Sequence, residues 1–113
     1  MTTIRQIEEW YRQQCNGEWE HTYGVKIDTL DNPGWCVKID LTMTDLENEP
    51  FSAIKKGVGS DGQPSESDWI CCSVQNKVFD GAGDPSKLDD ILRTFLDWKE
   101  QRASQPSQST ATP

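Results

Sequence analysis

The stretch YGVKIDTLDNPGWCVKIDL, Tyr23 to Leu41, decides the fold. Tyr23, Val25, Ile27 and Thr29 fall on one parity, and so do Trp35, Val37, Ile39 and Leu41, while Lys26, Asp28, Cys36, Lys38 and Asp40 take the alternate places. A period of two marks half-buried strands, and two this close in sequence form a hairpin. Cross-strand partners share a face, so odd residues must pair with odd ones. A two-residue Pro33-Gly34 loop would set Asp28 against Ile39 and bury a carboxylate. A three-residue loop keeps parity, but its usual form places Asn32 in the helical region, which the following Pro33 disfavours. The expected connection is therefore a five-residue loop, Leu30 to Gly34, with Pro33-Gly34 inside a type II turn and Thr29 opposite Trp35.

Upstream, Thr3 with Gln6 three residues on has capping-box spacing. Ile4, Ile7, Tyr11 and Cys15, with Trp10 beside them, give a helical apolar stripe that Asn16-Gly17 stops. From Trp19 the period turns to two, which places Glu18 and Glu20 on one strand face. Downstream, TMTDLENEP (Thr42 to Pro50) reads as an acidic connection, Phe51 to Val58 as a weak strand, and Gly57 to Ser67 as a polar, flexible loop. Asp68 to Val74 (DWICCSV) is apolar on both faces and reads as a central strand, and Val78-Phe79 follows as a short one. Asp84 as N-cap and Pro85 at the first helical position open the last helix. Its stripe is Leu88, Ile91, Leu92, Phe95 and Leu96, with Trp98 at the margin and Asp89, Asp90, Asp97 and Glu100 outside.

This order predicts an α+β fold: an antiparallel sheet of four to five strands, with an N-terminal and a C-terminal helix packed on one face. The other face stays polar and open. Residues 1–102 are expected to form one domain and 103–113 a disordered tail without an apolar anchor.

The 113 residues carry a formal charge of −8, are 34% hydrophobic and have a mean hydropathy of −0.76. Glu18, Glu20, Asp28, Asp31, Asp40, Asp45, Glu47 and Glu49 face only Lys26 and Lys38 within residues 18–50, so that segment alone holds −6. Such a field repels nucleic acid and anionic membrane and draws in a basic partner. MTTIRQIEEWYRQQ carries charges and no apolar run, so a cytoplasmic chain is expected, with Cys15, Cys36, Cys71 and Cys72 reduced.

Chemistry is sparse. His21 is the one histidine, and no spacing sets a cysteine beside it for nucleophilic work. Cys15 and His21 lack the close pairs of structural zinc, and GVGSDG lacks the lysine and helix of a phosphate loop. No metal or cofactor is expected. Trp35 shares the parity of Val37 and Ile39 and reads as a core residue more than a contact. Asp31 and Asn32, at the hairpin tip, serve equally as turn residues or as contacts. The candidate binding surface comprises Glu18, Glu20, Asp28, Asp31, Asn32, Asp40, Asp45, Glu47 and Glu49. The competing reading is a small ligand-binding domain or enzyme built on Trp19, Glu20, His21 and Tyr23.

The run WYRQQCNGEWEHTYGVKIDTLDNPGWCVKIDL, Trp10 to Leu41, resembles the immunity protein 53 family of bacterial polymorphic toxin systems. DWICCSV (Asp68 to Val74) and FDGAGDPSKLDDILRTFLDW (Phe79 to Trp98) are similar to it as well. The resemblance implies a non-enzymatic protein that binds and neutralises a cognate toxin, and it brings no established catalytic residues. If the toxin is a nuclease, it must be basic toward its substrate, and an acidic inhibitor would be steered onto that surface.

Overall fold

A computed structural model describes residues 2–103. Helix α1 (Thr3–Gln14) leads through a single helical turn, α2 (Trp19–Thr22), into β1 (Val25–Leu30) and β2 (Gly34–Asp40). Then come β3 (Ile54–Lys56), β4 (Ile70–Gln75), β5 (Val78–Gly83) and α3 (Leu88–Ala103). All neighbours in the sheet are antiparallel, in the order β1-β2-β5-β4-β3. This is the expected α+β arrangement. Of the tail expected at 103–113, Ala103 ends α3 and the rest lies outside the described residues.

The sheet is built around β5, which carries Phe79, Gly81 and Gly83 toward the helices and Asp80 and Ala82 toward the open face. The two bare glycines let the first half of α3 lie directly on the strand. A Cβ on Gly81 would come 2.5 Å from Cγ2 of Ile91, and one on Gly83 would come 2.6 Å from Cβ of Lys87. Below them Phe79 fills the space, edge-on to Phe95 at 5.4 Å and to Phe51 at 5.6 Å. Trp10 of α1 meets Phe95 at 5.1 Å, and Trp98 meets Phe51 at 5.2 Å. Each edge-to-face pair adds roughly 0.5–1.5 kcal/mol beyond its buried area. Val37, Ile39, Leu41, Cys72, Ile91, Leu92 and Leu96 complete the core.

The hairpin has the expected register, with Val25 opposite Ile39, Ile27 opposite Val37 and Thr29 opposite Trp35. Its loop, however, is three residues, Asp31–Pro33, because Leu30 pairs with Gly34. No residue of that loop has positive φ, so it is not the usual three-residue form and Pro33 does not obstruct it. Gly34 also lacks the positive φ of a type II turn. It is glycine because a Cβ there would collide with the carbonyl oxygen of Gly83.

Other expectations shift as well. Thr2, not Thr3, caps α1, accepting from the Arg5 N–H at 3.2 Å. The buried positions of α1 are Ile7 and Trp10, while Ile4 and Tyr11 are exposed. The segment from Trp19 is helical rather than extended. Asn16 Oδ1 accepts from the N–H groups of Glu18 and Trp19, both at 3.0 Å, and the Glu20 carboxylate reaches back to those of Asn16 and Gly17. Two reciprocal caps thus outweigh the alternating pattern. β4 is interior, but β5 is the middle strand, and the weak third strand is only Ile54–Lys56. The 57–67 loop is closed by hydrogen bonds, Gly59 N to Gln63 O at 2.8 Å and Ser65 N to Gly57 O at 2.8 Å.

Asp84 does not cap α3 directly. Helix α3 begins at Leu88, with Ile91 N donating to Lys87 O at 2.9 Å. Asp84, 4% exposed, organises the preceding turn instead. One carboxylate oxygen accepts from Ser86 N and Ser86 Oγ, at 2.8 and 2.6 Å. The other accepts from Trp69 N at 2.9 Å and Lys87 Nζ at 2.7 Å. Lys87 also bridges to the exposed Asp68. The lysine ammonium, then the Ser86 and Trp69 donors, hold the Asp84 carboxyl far below its ordinary range. Asp68 and then Asp84 raise Lys87 to about 12.

Gly81→Ala should lower stability by about 1–3 kcal/mol, the range for overpacking a filled core, as read by urea unfolding. Gly24→Ala, which meets nothing within 4 Å, should stay within about 0.5 kcal/mol of wild type. Asp84 is depressed in the folded chain, so its contribution is complete above the ordinary aspartate value of about 3.9 and is lost as pH falls below it. Asp84→Asn should therefore be less stable at neutral pH and should show a shallower acid limb. Lys87 is raised, so its contribution is complete below about 10.4 and disappears as pH rises through about 12.

Candidate functional site

The nine candidate residues occupy three places. Asp31 and Asn32 sit at the hairpin tip, beside the start of α3, where Trp35 Nε1 donates to Pro85 O at 2.9 Å. Asp28 and Asp40 lie on the open sheet face, opposite in parity to the buried Val37 and Ile39. Glu18, Glu20, Asp45, Glu47 and Glu49 belong to α2 and the turns after β2. β2 separates the first place from the third by about 20 Å at the usual strand rise. The acids of residues 18–50 therefore do not form one surface.

Their partners divide them further. Glu47 is paired with Lys77 at 3.1 Å, and Glu49 with Arg102 at 3.4 Å. Asp28 accepts from Thr29 N at 2.8 Å, and Asp40 from Thr42 N at 3.2 Å. Glu20 is engaged locally: its own N–H and those of Asn16 and Gly17 hold its carboxyl below the usual range. Glu18, Asp31 and Asp45 are exposed, and their side chains make no hydrogen bond or ion pair among the described residues. On the open face Lys38 pairs with Asp80 at 2.9 Å, and Lys26 and Lys55 share that parity. Positive and negative charges are mixed there, so the acidic field does not centre on the sheet.

The third place has a second character that the acids alone do not reveal. Trp19 is buried, and its Nε1 donates to Thr42 O at 2.9 Å, which ties α2 to the chain leaving β2. That leaves Met43 72% exposed at a φ of 65°. An open cleft of about 450 Å³ runs past Glu18, Trp19, His21, Tyr23 and Met43. A second, of about 520 Å³, lies across the His21–Tyr23 ridge and is lined by Tyr11, Lys26, Lys38 and Asp40. Tyr11 stacks edge-on to Trp19 at 6.1 Å and is itself 39% exposed. The result is a ridge of His21, Tyr23, Tyr11 and Met43, with Glu18 and Asp40 on its flanks. Sequence reasoning passed over Tyr11 as a helix-stripe residue and did not single out Met43. The available signal was an isolated methionine within an acidic connection.

For chemistry this ridge offers little. Glu20 lines neither cleft, so no cleft encloses it together with His21. No group of three or more metal-ligating side chains comes together among the described residues. Burial pushes the Cys72 thiol up to about 12 and raises Cys36 as well, so neither is a ready nucleophile. Among the described residues no helix is long and apolar enough to cross a membrane.

No curated protein and no solved structure matches the chain. The family model of Immunity protein 53 matches residues 4–100, from the first turn of α1 to the last turns of α3. With a match across nearly all its described elements, the chain belongs to the immunity protein 53 family.

Proposed function

We propose that this protein neutralises a cognate toxin by seating it on the ridge formed by α2 and the turns after β2. Membership of an immunity family supports the inhibitory role. The observation that carries the placement is Met43, a large apolar side chain held out in solvent by a left-handed backbone. A non-glycine residue held in that region is uncommon and invites a functional reading. Methionine adapts to an irregular partner surface. Aromatic neighbours rimmed by polar groups supply the make-up of a binding hot spot. Glu18 and Asp40 rim the site, and Asp45, Glu47 and Glu49 follow Met43 in the turns after β2. Asp28, Asp31 and Asn32 stand apart and would touch only a partner large enough to reach round the sheet.

The acidic rim suits a basic toxin, and a nuclease is the case that chemistry favours, because its surface must attract a polyanion. Steering between opposite charges speeds encounter and fades with salt. The clefts beside His21 fall within the size range of small-ligand sites, which is the observation favouring a ligand-binding domain. Glu20, the main polar group of that reading, is instead engaged by the N–H groups of Asn16 and Gly17.

Co-expression with the product of the adjacent gene is the direct test, with survival and measured affinity as readouts. Wild type should rescue the cells. Met43→Ala should weaken binding by about tenfold or more without loss of fold. Glu18→Lys with Asp45→Lys should slow association and flatten its salt dependence. Unchanged affinity in both variants would place the contact elsewhere.

A further inference from the structure

Strand β1 ends the sheet on one side and β3 on the other. The two edges differ. β3 is three residues long and carries Lys55 and Lys56, the usual protection against further pairing. β1 is six residues of regular ladder without proline or bulge, and Lys26 to Thr29 are exposed throughout. Ile27, on the helix-side face, is 43% exposed, because α3 rests chiefly on β2, β5 and β4.

Backbone parity fixes what this edge offers. Asp40 N donates to Gly24 O at 3.1 Å, so Gly24 and the even residues after it spend their backbone groups on β2. Val25, Ile27 and Thr29 therefore turn theirs outward. Thr29 agrees, since its N–H is held by the neighbouring Asp28 carboxylate rather than by β2.

We propose that a second copy of this chain pairs antiparallel along β1, with the two-fold axis at Ile27. In that register Ile27 exchanges both backbone bonds with Ile27 of the second copy, and Val25 does so with Thr29. Lys26 then stands opposite Asp28 at both symmetric positions, which are non-hydrogen-bonded pairs where side chains approach most closely. Asp28 releases the Thr29 N–H to the carbonyl of Val25 in the second copy and turns to Lys26. The two exposed Ile27 side chains cover each other. The edge is thus self-complementary in hydrogen bonding, charge and apolar surface, as a two-fold interface requires. This goes beyond toxin binding, because it rests on the free edge of β1 and shares with the clefts beside α2 only the Val25–Lys26 end of that strand.

Sedimentation equilibrium of the full chain over a concentration series, with no toxin present, tests the pairing. Wild type should dimerise reversibly. Lys26→Asp alone and Asp28→Lys alone each set like charges opposite at both positions and should weaken the dimer by about tenfold or more. The double variant Lys26→Asp/Asp28→Lys should restore it, with circular dichroism confirming the fold of all three. A wild type that stays monomeric throughout, or a dimer indifferent to all three variants, would overturn the proposal. Since no toxin is involved, failure here leaves the neutralisation reading untouched, and the reverse also holds.

Discussion

The contact on which the rest of the structure depends is that of α3 with the bare glycines of β5. Gly81 and Gly83 bring Ile91 and Lys87 against strand backbone rather than side chains. This sets the helix low over the middle of the sheet and brings Phe95 down onto Phe79. Once α3 is fixed there, Trp10 has Phe95 to pack on, and α1 is positioned by α3 rather than by the sheet. Asp84 locks the entry, binding the N–H of Trp69 at the start of β4 and the turn before α3 with one carboxylate.

Tryptophan does the matching work for the irregular segments. Trp19 and Trp98, both buried, and Trp35, half-buried against the core, each donate an indole N–H to a backbone carbonyl, those of Thr42, Pro50 and Pro85. Each carbonyl lies in a connection rather than in a strand or helix. In a chain with modest apolar content, a ring that both fills the core and satisfies a loop carbonyl serves two needs at once. The Trp19 bond has a functional consequence as well, since it holds α2 beside the turn that presents Met43.

Much of the fold was legible from pattern. The alternation from Val25 to Leu41 specified the hairpin register, and the stripe from Leu88 to Leu96 specified α3. What escaped was decided by neighbours distant in sequence. Gly34 looked like a turn residue, but the backbone of Gly83 demands it. Val78-Phe79 looked like the whole of a short strand, because Gly81 and Gly83 resemble loop residues until a helix lies over them. The segment from Trp19 looked extended because its alternation was visible, whereas the reciprocal caps of Asn16 and Glu20 were overlooked. The candidate acids were legible as charges but not as a surface, since only the folded sheet reveals that β2 holds Asp31 far from Glu18 and Asp45.

The functional reading depends on the α2 ridge rather than the hairpin tip being where a toxin lands. Hydrogen–deuterium exchange of the chain alone and in complex with its toxin compares the two places in one experiment. Protection gained over residues 18–24 and 41–47, with the 31–33 loop unchanged, is the predicted result. Protection confined to the 31–33 loop, with α2 and Met43 still exchanging freely, would contradict it.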